Sequence, residues 1–190
     1  MGEKFNINIV RKVKLKNGKE LILRKAIAND SNSIIEYLNI VGGESNNLLF
    51  GKGEFKVTVE HEREYIENTN SMDDSLMLLG VLEGKIVSVA QIVTTNRKRI
   101  AHNSEIAISV KREYWGIGIG GKVISELIKF AKESIIIKNI SLGVRSDNNN
   151  AIKLYEKYGF EKVGIHKNYF NIEGKYYDEI LMDLNLEINN

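Results

Sequence analysis

The sequence predicts a mixed α/β fold built on one central, mostly antiparallel sheet with about four helices. Its 190 residues, of which 43% are hydrophobic and 27% charged, suit a single globular domain, so we assign residues 1–190 to one domain. The apolar patterns follow the order strand, helix, helix, three strands, helix, strand, helix, two strands. Most of these strands are neighbours in the sequence, which favours antiparallel pairing over repeated βαβ units.

The first half of the chain alternates apolar and charged patterns. Residues 19–26 predict a strand, and the apolar spacing in 29–42 predicts an amphipathic helix with Asp30 or Ser31 as its N-cap. Residues 44–55 predict a loop. The elements predicted next are a charged helix at 58–69 with Thr58 as its cap, two strands within 76–96 that meet at a turn over 83–85, and a strand at 101–110.

The second half begins with a glycine-rich segment. Apolar residues on one face, including Val123 and Leu127, predict a helix from this segment to about residue 133. The elements predicted after it are a strand at 137–146, a helix at 149–159 that ends at Gly159, and strands at 160–170 and 175–186.

The composition excludes several functional classes. With 27 basic and 25 acidic side chains the net charge is only +2, so nucleic-acid binding has no compositional support. The chain has no cysteine, which excludes a disulfide framework, a thiol nucleophile and a cysteine metal site. The three histidines, at positions 61, 102 and 166, are far apart in sequence, so we expect no metal site.

Hydropathy points to a cytoplasmic protein. The first 20 residues contain no apolar run long enough for a signal peptide. No run of about 18 apolar residues occurs in the chain, so we expect no membrane span. The absence of cysteine also fits a reducing compartment.

The segment YWGIGIGGKV, residues 114–123, fits three diphosphate-binding patterns. In each, glycines let the backbone approach a phosphate at the start of a helix. The nucleotide P-loop pattern requires Ser or Thr where this chain has Val123. The dinucleotide pattern requires an acid about 20 residues on, where Ser141 stands, and the next acid, Asp147, comes late. The third pattern binds the pyrophosphate of an acyl-CoA.

Downstream residues favour the third pattern, because over about 50 residues the chain resembles the GCN5-related N-acetyltransferase (GNAT) family. The matching residues, in family order, are Val110, the run Trp115-Gly116-Ile117-Gly118-Ile119-Gly120, Asn148, Ala151, Tyr155 and Gly159-Phe160. The resemblance extends from about Leu76 to Leu184, the expected acyl-CoA core. Trp115 stands where the family has Gln or Arg, so one polar side-chain contact is not carried over.

The resemblance implies acetyl-CoA as cosubstrate, held beside a splayed sheet without a metal ion. In the family, backbone N–H groups at a helix start hold the CoA pyrophosphate, and main-chain groups of the preceding strand bind the pantetheine arm. Carried over, the cofactor-binding residues are Ile108, Val110, Gly116, Ile117, Gly118, Ile119, Gly120, Gly121, Asn148 and Tyr155. Tyr155 is also implied as proton donor to the leaving thiolate. Glu105 is the second catalytic candidate, because the family often places a base or a water-holding acid on this strand.

Each candidate also has a purely structural explanation. Asn148 suits a helix N-cap, Tyr155 suits a core position on an amphipathic helix, and Glu105 suits the solvent face of a strand. Tyr158 lies three residues after Tyr155 and does not match the motif position. The charged segment 60–67 is either a solvated helix face or the border of a pocket for a cationic substrate.

The resemblance implies an enzyme that moves an acetyl group from acetyl-CoA to a primary amine of a small molecule or peptide. Without cysteine, we expect direct attack by the amine and no cysteine acyl-enzyme. Two alternatives stay open: a non-catalytic acyl-CoA-binding module that acts as a sensor or partner, and a nucleotide-dependent enzyme. The sequence also leaves open a homodimer.

Overall fold

One open sheet of eight strands forms the centre of the structure, a computed structural model that describes residues 8–186. The strands are β1 (Ile9–Lys14), β2 (Glu20–Lys25), β3 (Leu76–Leu82), β4 (Lys85–Val93), β5 (Asn103–Val110), β6 (Asn139–Arg145), β7 (Glu161–Ile172) and β8 (Lys175–Asn185). The helices are α1 (Ser31–Glu44), α2 (Val59–Asn70), α3 (Ile119–Glu133) and α4 (Asn149–Lys157). In space the strands follow the order β1-β2-β3-β4-β5-β6-β8-β7. The predicted mixed α/β class is confirmed.

The sequence pattern missed β1, one of the two edge strands of the sheet. Only Val13 of this strand is fully buried, so its six residues carry no clear apolar alternation. The turn from β1 to β2 contains Asn17 and Gly18, and Gly18 has a φ of 82°. Charged side chains on an exposed edge strand hinder pairing with another chain, which explains why an edge strand can look polar throughout.

Helices cover both faces of the sheet, and β3 is buried on both sides. Its residues alternate between two apolar clusters, one containing Leu78 and the other Leu79. Val123 of α3 belongs to the first cluster, whereas Ile34 of α1 and Ile66 of α2 belong to the second. This double burial explains why β3 is apolar at almost every position.

The sheet splits between β5 and β6, its only parallel pair among the described strands. These two strands pair only at Asn103 with Asn139, Ser104 with Ile140 and Glu105 with Ser141. Beyond these positions β5 continues along β4 as far as Val110, and β6 continues along β8. The predicted splay of the sheet is therefore present after Glu105.

The helix ends follow local polar chemistry. Thr58 accepts a hydrogen bond from the backbone N–H of His61, as the sequence predicts. Asp30 occupies the N-cap position of α1, but its carboxylate does not cap the helix. It instead binds the buried guanidinium of Arg24 through two contacts of 2.7 Å. Within residues 8–186, none of the helices is both long and apolar enough to cross a bilayer.

Candidate active site

A cleft of about 520 Å³ opens where β5 and β6 separate. Its walls come from β5, the glycine segment, the start of α3, α4 and the β7–β8 hairpin. The residues predicted from the sequence that line it are Glu105, Ile108, Val110, Gly116, Gly118, Ile119, Gly120, Gly121, Asn148 and Tyr155. The fold thus brings together residues that are up to 50 positions apart in sequence.

The glycine segment presents unpaired backbone donors to this cleft. Gly116 and Gly118 have φ angles of 79° and 98°, and a Cβ on either would meet nothing within 4 Å. From Gly116 to Gly121, no backbone N–H donates a hydrogen bond to any residue in 8–186. Ile117 and Ile119 pack their side chains into the core, so only their backbone N–H groups are available to bind a ligand in the cleft. Unpaired N–H groups at a helix start favour an anion.

Gly120 and Gly121 have a different role from the two glycines before them. A Cβ on Gly120 would lie 3.2 Å from the side chain of Leu154, and one on Gly121 would lie 2.9 Å from the hydroxyl of Tyr158. Both neighbours belong to the α4 segment. These two glycines therefore allow α4 to pack closely on the start of α3.

The main chain of β5 faces the gap at alternate residues. The carbonyl of Ser109 accepts a hydrogen bond from Ser88 on β4 at 2.8 Å, so it points away from the gap. Carbonyl groups alternate in direction along a strand, so the N–H and C=O groups of Ile108 and Val110 point toward β6. No strand pairs with this part of β5 on that side, which leaves room for an extended ligand.

One expected free group on β5 is occupied. The carbonyl of Val110 accepts a hydrogen bond from the indole N–H of Trp115 at 2.7 Å, so this one main-chain group of the strand already has a partner. The indole ring lines the cleft and is 47% exposed. Trp115 thus retains a donor at the position of the family's Gln or Arg, but uses it to fix the loop to the strand.

Tyr155 and Asn148 lie along the same side of α4 and both line the cleft. The Tyr155 hydroxyl makes no hydrogen bond to any residue in 8–186, and burial raises its pKa to about 12. Its ring packs edge-on to Phe160. Asn148 caps α4 by accepting from the N–H of Ala151 at 3.3 Å, so the structural explanation of this residue is correct. Its side-chain NH₂ has no partner within the same described range.

Glu105 is exposed and stands at the point where the two strands separate. The pairing of β5 with β4 shows no register shift, so no bulge changes the direction of this side chain. Glu105 therefore shares a face with Ala107 and Ser109. Ser109 contacts the Tyr37 hydroxyl on α1 at 3.1 Å, so this is the face covered by α1 and α2.

The sequence did not reveal a second acid in the cleft, Glu179 of β8. Only 7% of this residue is exposed, and its carboxylate lies against Gly143 of β6. It is 3.0 Å from the Nδ1 atom of His166 on β7. The signals were an acid beside apolar residues in the last strand and a glycine in β6 that leaves room for its carboxylate, but the register between the strands was needed to connect them.

A second cavity of about 350 Å³ lies between the sheet and the helices α1 and α2. It shares Leu48, Ala107, Ile108 and Ser109 with the cleft, so the two spaces meet along β5. Much of its far wall comes from segment 48–57, which the sequence defined only as a loop. In the described part of the chain, no cluster of three or more His, Asp or Glu side chains is placed to hold a metal ion.

Comparisons with known proteins agree with this geometry. The sequence profile of the Acetyltransferase (GNAT) family matches residues 47–160. The chain is 31% identical over 105 residues to the L-amino acid N-acetyltransferase AaaT of Escherichia coli, a match that covers 55% of the chain and 65% of the relative. It is 33% identical over 91 residues to the N-alpha-acetyltransferase RimI of Mycobacterium tuberculosis, which covers 48% of the chain and 55% of the relative. The match spans less than two thirds of either relative.

A solved structure extends the similarity to most of the fold. It is a crystal structure of a GNAT-family acetyltransferase from Streptococcus pneumoniae, with 30% sequence identity and a TM-score of 0.85. The alignment covers 87% of this chain and 99% of that one.

Proposed function

Because the chain belongs to the GNAT acetyltransferase family, we propose that it transfers an acetyl group from acetyl-CoA to a primary amine. The observation that carries this proposal is the row of unpaired N–H groups from Gly116 to Gly121 beside the gap between β5 and β6. A diphosphate suits the donors, and an extended arm suits the gap, which is the combination that acyl-CoA offers.

Several residues of the cleft support the proposal of acetyl-CoA. The N–H groups of the glycine segment would hold the pyrophosphate, and the main chain at Ile108 would bind the pantetheine arm like an added strand. The free NH₂ group of Asn148 would donate to the same arm. Acetyl-CoA itself supplies an acetyl group activated as a thioester.

The transfer needs two protons removed from the protonated amine and a donor to the leaving sulfur. The amine nitrogen bonds to the carbonyl carbon, the carbon–sulfur bond breaks, and sulfur leaves with the electron pair of that bond. A lysine-like amine, with a pKa of about 10.4, is mostly protonated at pH 7, so it must lose a proton before attack and a second one afterwards. Glu105 is the proposed acceptor, directly or through water.

Tyr155 is the proposed donor to the leaving sulfur. Its hydroxyl is protonated at neutral pH, since burial raises its pKa to about 12. A thiol has a pKa near 8.5, so complete proton transfer from Tyr155 is unfavourable. Its contribution is a hydrogen bond to the charge that develops on sulfur.

The acceptor amine is the open part of the proposal. The two curated relatives are named for an L-amino acid and for an N-alpha-acetyl group, which makes free amino acids and peptide N-termini the first classes to compare. The test is a screen of amine classes with acetyl-CoA, in which the released thiol is measured and the acetylated product is identified by mass. If acetyl-CoA binds but none of the amine classes causes thiol release, the result would instead support a non-catalytic module.

A further inference from the structure

The second cavity carries information about the acceptor. Its walls are apolar, and include Ile34 and Leu38 of α1 and the tilted ring pair Phe50 and Phe55, whose centroids are 5.1 Å apart. It meets the acyl-CoA cleft along Ala107, Ile108 and Ser109. A molecule in this cavity therefore approaches β5 from the face opposite to α3 and α4.

A buried acid interrupts the apolar wall. Glu62 of α2 is only 4% exposed and lines the cavity. Its carboxylate makes no hydrogen bond or ion pair with any residue in 8–186. Burial raises the pKa of Glu62, and the nearby His61 opposes that shift. A carboxylate in such a place is costly unless a cation or donor pairs with it.

The cavity offers a carboxylate group no matching cation. Among the described residues that line it there is no Lys or Arg, and His61 is the one basic side chain. The remaining polar groups include Gln91, which accepts a hydrogen bond from Tyr65 at 2.8 Å. A carboxylate placed here would face Glu62 with no Lys or Arg in the described lining to pair with it, which disfavours its binding.

We propose that the acceptor is an amine on an apolar body, with no carboxylate beside the amine, and that Glu62 draws its protonated form into the second cavity. The inference rests on the proposed acetyltransferase function. Two sources offer this chemistry: a free arylalkyl or alkyl amine, and a peptide N-terminus whose first side chain is apolar. A free apolar amino acid has the amine and the apolar body, but no Lys or Arg among the described lining residues could pair with its carboxylate. Glu62 acts in binding, and removal of the amine proton before attack is assigned to Glu105.

A matched pair of acceptors tests whether a carboxylate beside the amine makes an acceptor poorer. L-phenylalaninamide and L-phenylalanine share the amine and the ring, and differ in the charge beside the amine. We expect kcat/KM to be at least tenfold higher for the amide. Equal values, or a preference for the acid, would overturn the inference. Comparison of phenethylamine with a tripeptide that begins with phenylalanine then separates the two sources. Glycinamide tests the requirement for an apolar body, and we expect it to be the poorest of the amides.

Glu62→Gln tests the carboxylate, with Glu64→Gln as its control on the exposed side of the same helix. We expect Glu62→Gln to raise KM for phenylalaninamide at least fivefold with a smaller change in kcat, and to reduce the preference over phenylalanine. Glu64→Gln should change neither value. A thermal melt checks the fold, and a neutral amide at this buried position should not lower the melting temperature. An unchanged KM in a folded Glu62→Gln variant would contradict the role of Glu62.

The two proposals fail in different ways. If acetyl-CoA does not bind in calorimetry, or if no amine releases thiol, the acetyltransferase function fails and takes this inference with it. If thiol is released with free amino acids but not with their amides, the enzyme assignment holds and only the inference about the acceptor is wrong.

Discussion

The indole N–H of Trp115 donates to the carbonyl oxygen of Val110 across 2.7 Å and so ties the glycine segment to the end of β5. This contact joins two parts of the proposed cofactor site, the loop for the diphosphate and the strand for the pantetheine arm. Trp115 is also the only tryptophan in the chain. The fluorescence of this single tryptophan therefore reports on the cleft that its ring lines.

We expect acetyl-CoA to change the fluorescence of Trp115 in a saturable way, because the half-exposed ring lines the cleft. Trp115→Phe should abolish this signal and weaken acetyl-CoA binding about two- to tenfold in calorimetry, the worth of one net hydrogen bond. Tyr176→Phe, an exposed residue of β8 outside the cleft, should leave affinity unchanged. A Trp115→Phe variant with full affinity would show that the tie is not needed for binding.

Gly118→Asp should weaken acetyl-CoA binding at least tenfold, or about 1.4 kcal/mol. The new side chain would point into open space at the N-terminus of α3 and place a negative charge at the proposed diphosphate site. Gly18→Asp is a matched control, because Gly18 also has a positive φ and open surroundings but lies in the β1–β2 turn. Calorimetry measures both affinities and a thermal melt compares stability. Similar losses of acetyl-CoA affinity in both variants would show that the diphosphate does not bind at Gly118.

The sequence indicated more of the residues that line the cleft than of those that line the second cavity, for a physical reason. Gly118, Asn148 and Tyr155, which line the cleft, belong to local features that leave a pattern in adjacent residues: a positive φ, a helix cap and a helical stripe. Glu62 lies in a charged segment that resembles a solvated helix face. Glu62 is buried beside a cavity that is also lined by α1 and segment 48–57, an arrangement that no local pattern encodes.

The same reason explains the missed Glu179. Its place in the cleft follows from the register of three strands, which sets it opposite both Arg145 and His166. The parallel contact between β5 and β6 is equally non-local, since α3 separates the strands in sequence. The splay itself was predicted only through the resemblance to a family.

Glu105→Gln should lower kcat/KM by about 10² at neutral pH if this residue accepts the amine proton. The loss should shrink as pH rises toward 9, because more of the amine is already neutral. Rates measured from pH 6 to 9 with a saturating acetyl-CoA concentration test this dependence. Glu161→Gln, an exposed acid at the start of β7, should show no loss at any pH.

Glu179 is the competing candidate for the catalytic base. It is buried in the cleft wall and held by His166, so Glu179→Gln should mainly disturb that contact. If Glu179→Gln shows the pH-dependent loss and Glu105→Gln keeps wild-type rates, the assignment of the base to Glu105 is wrong.

Tyr155→Phe separates a catalytic hydroxyl from a structural one. The substitution keeps the ring against Phe160 and removes a hydroxyl that has no hydrogen bond within residues 8–186, so the melting temperature and acetyl-CoA affinity should hardly change. We expect kcat to fall about 10- to 10³-fold, because the charge on sulfur loses its donor. Tyr158→Phe is the control, since that hydroxyl packs against Gly121 and the residue does not line the cleft.

The raised pKa of Tyr155 sets the pH range in which its hydroxyl can act as a hydrogen-bond donor. Burial raises this pKa from 10.0 to about 12, so the folded protein favours the neutral hydroxyl. Its contribution to stability is complete below pH 10 and is lost as pH rises through 12. The donor therefore remains protonated, and kcat of the wild type should show no decrease from the loss of this proton up to pH 10. If Tyr155→Phe lowers the melting temperature and leaves kcat intact, the hydroxyl is structural and another group stabilises the charge on sulfur.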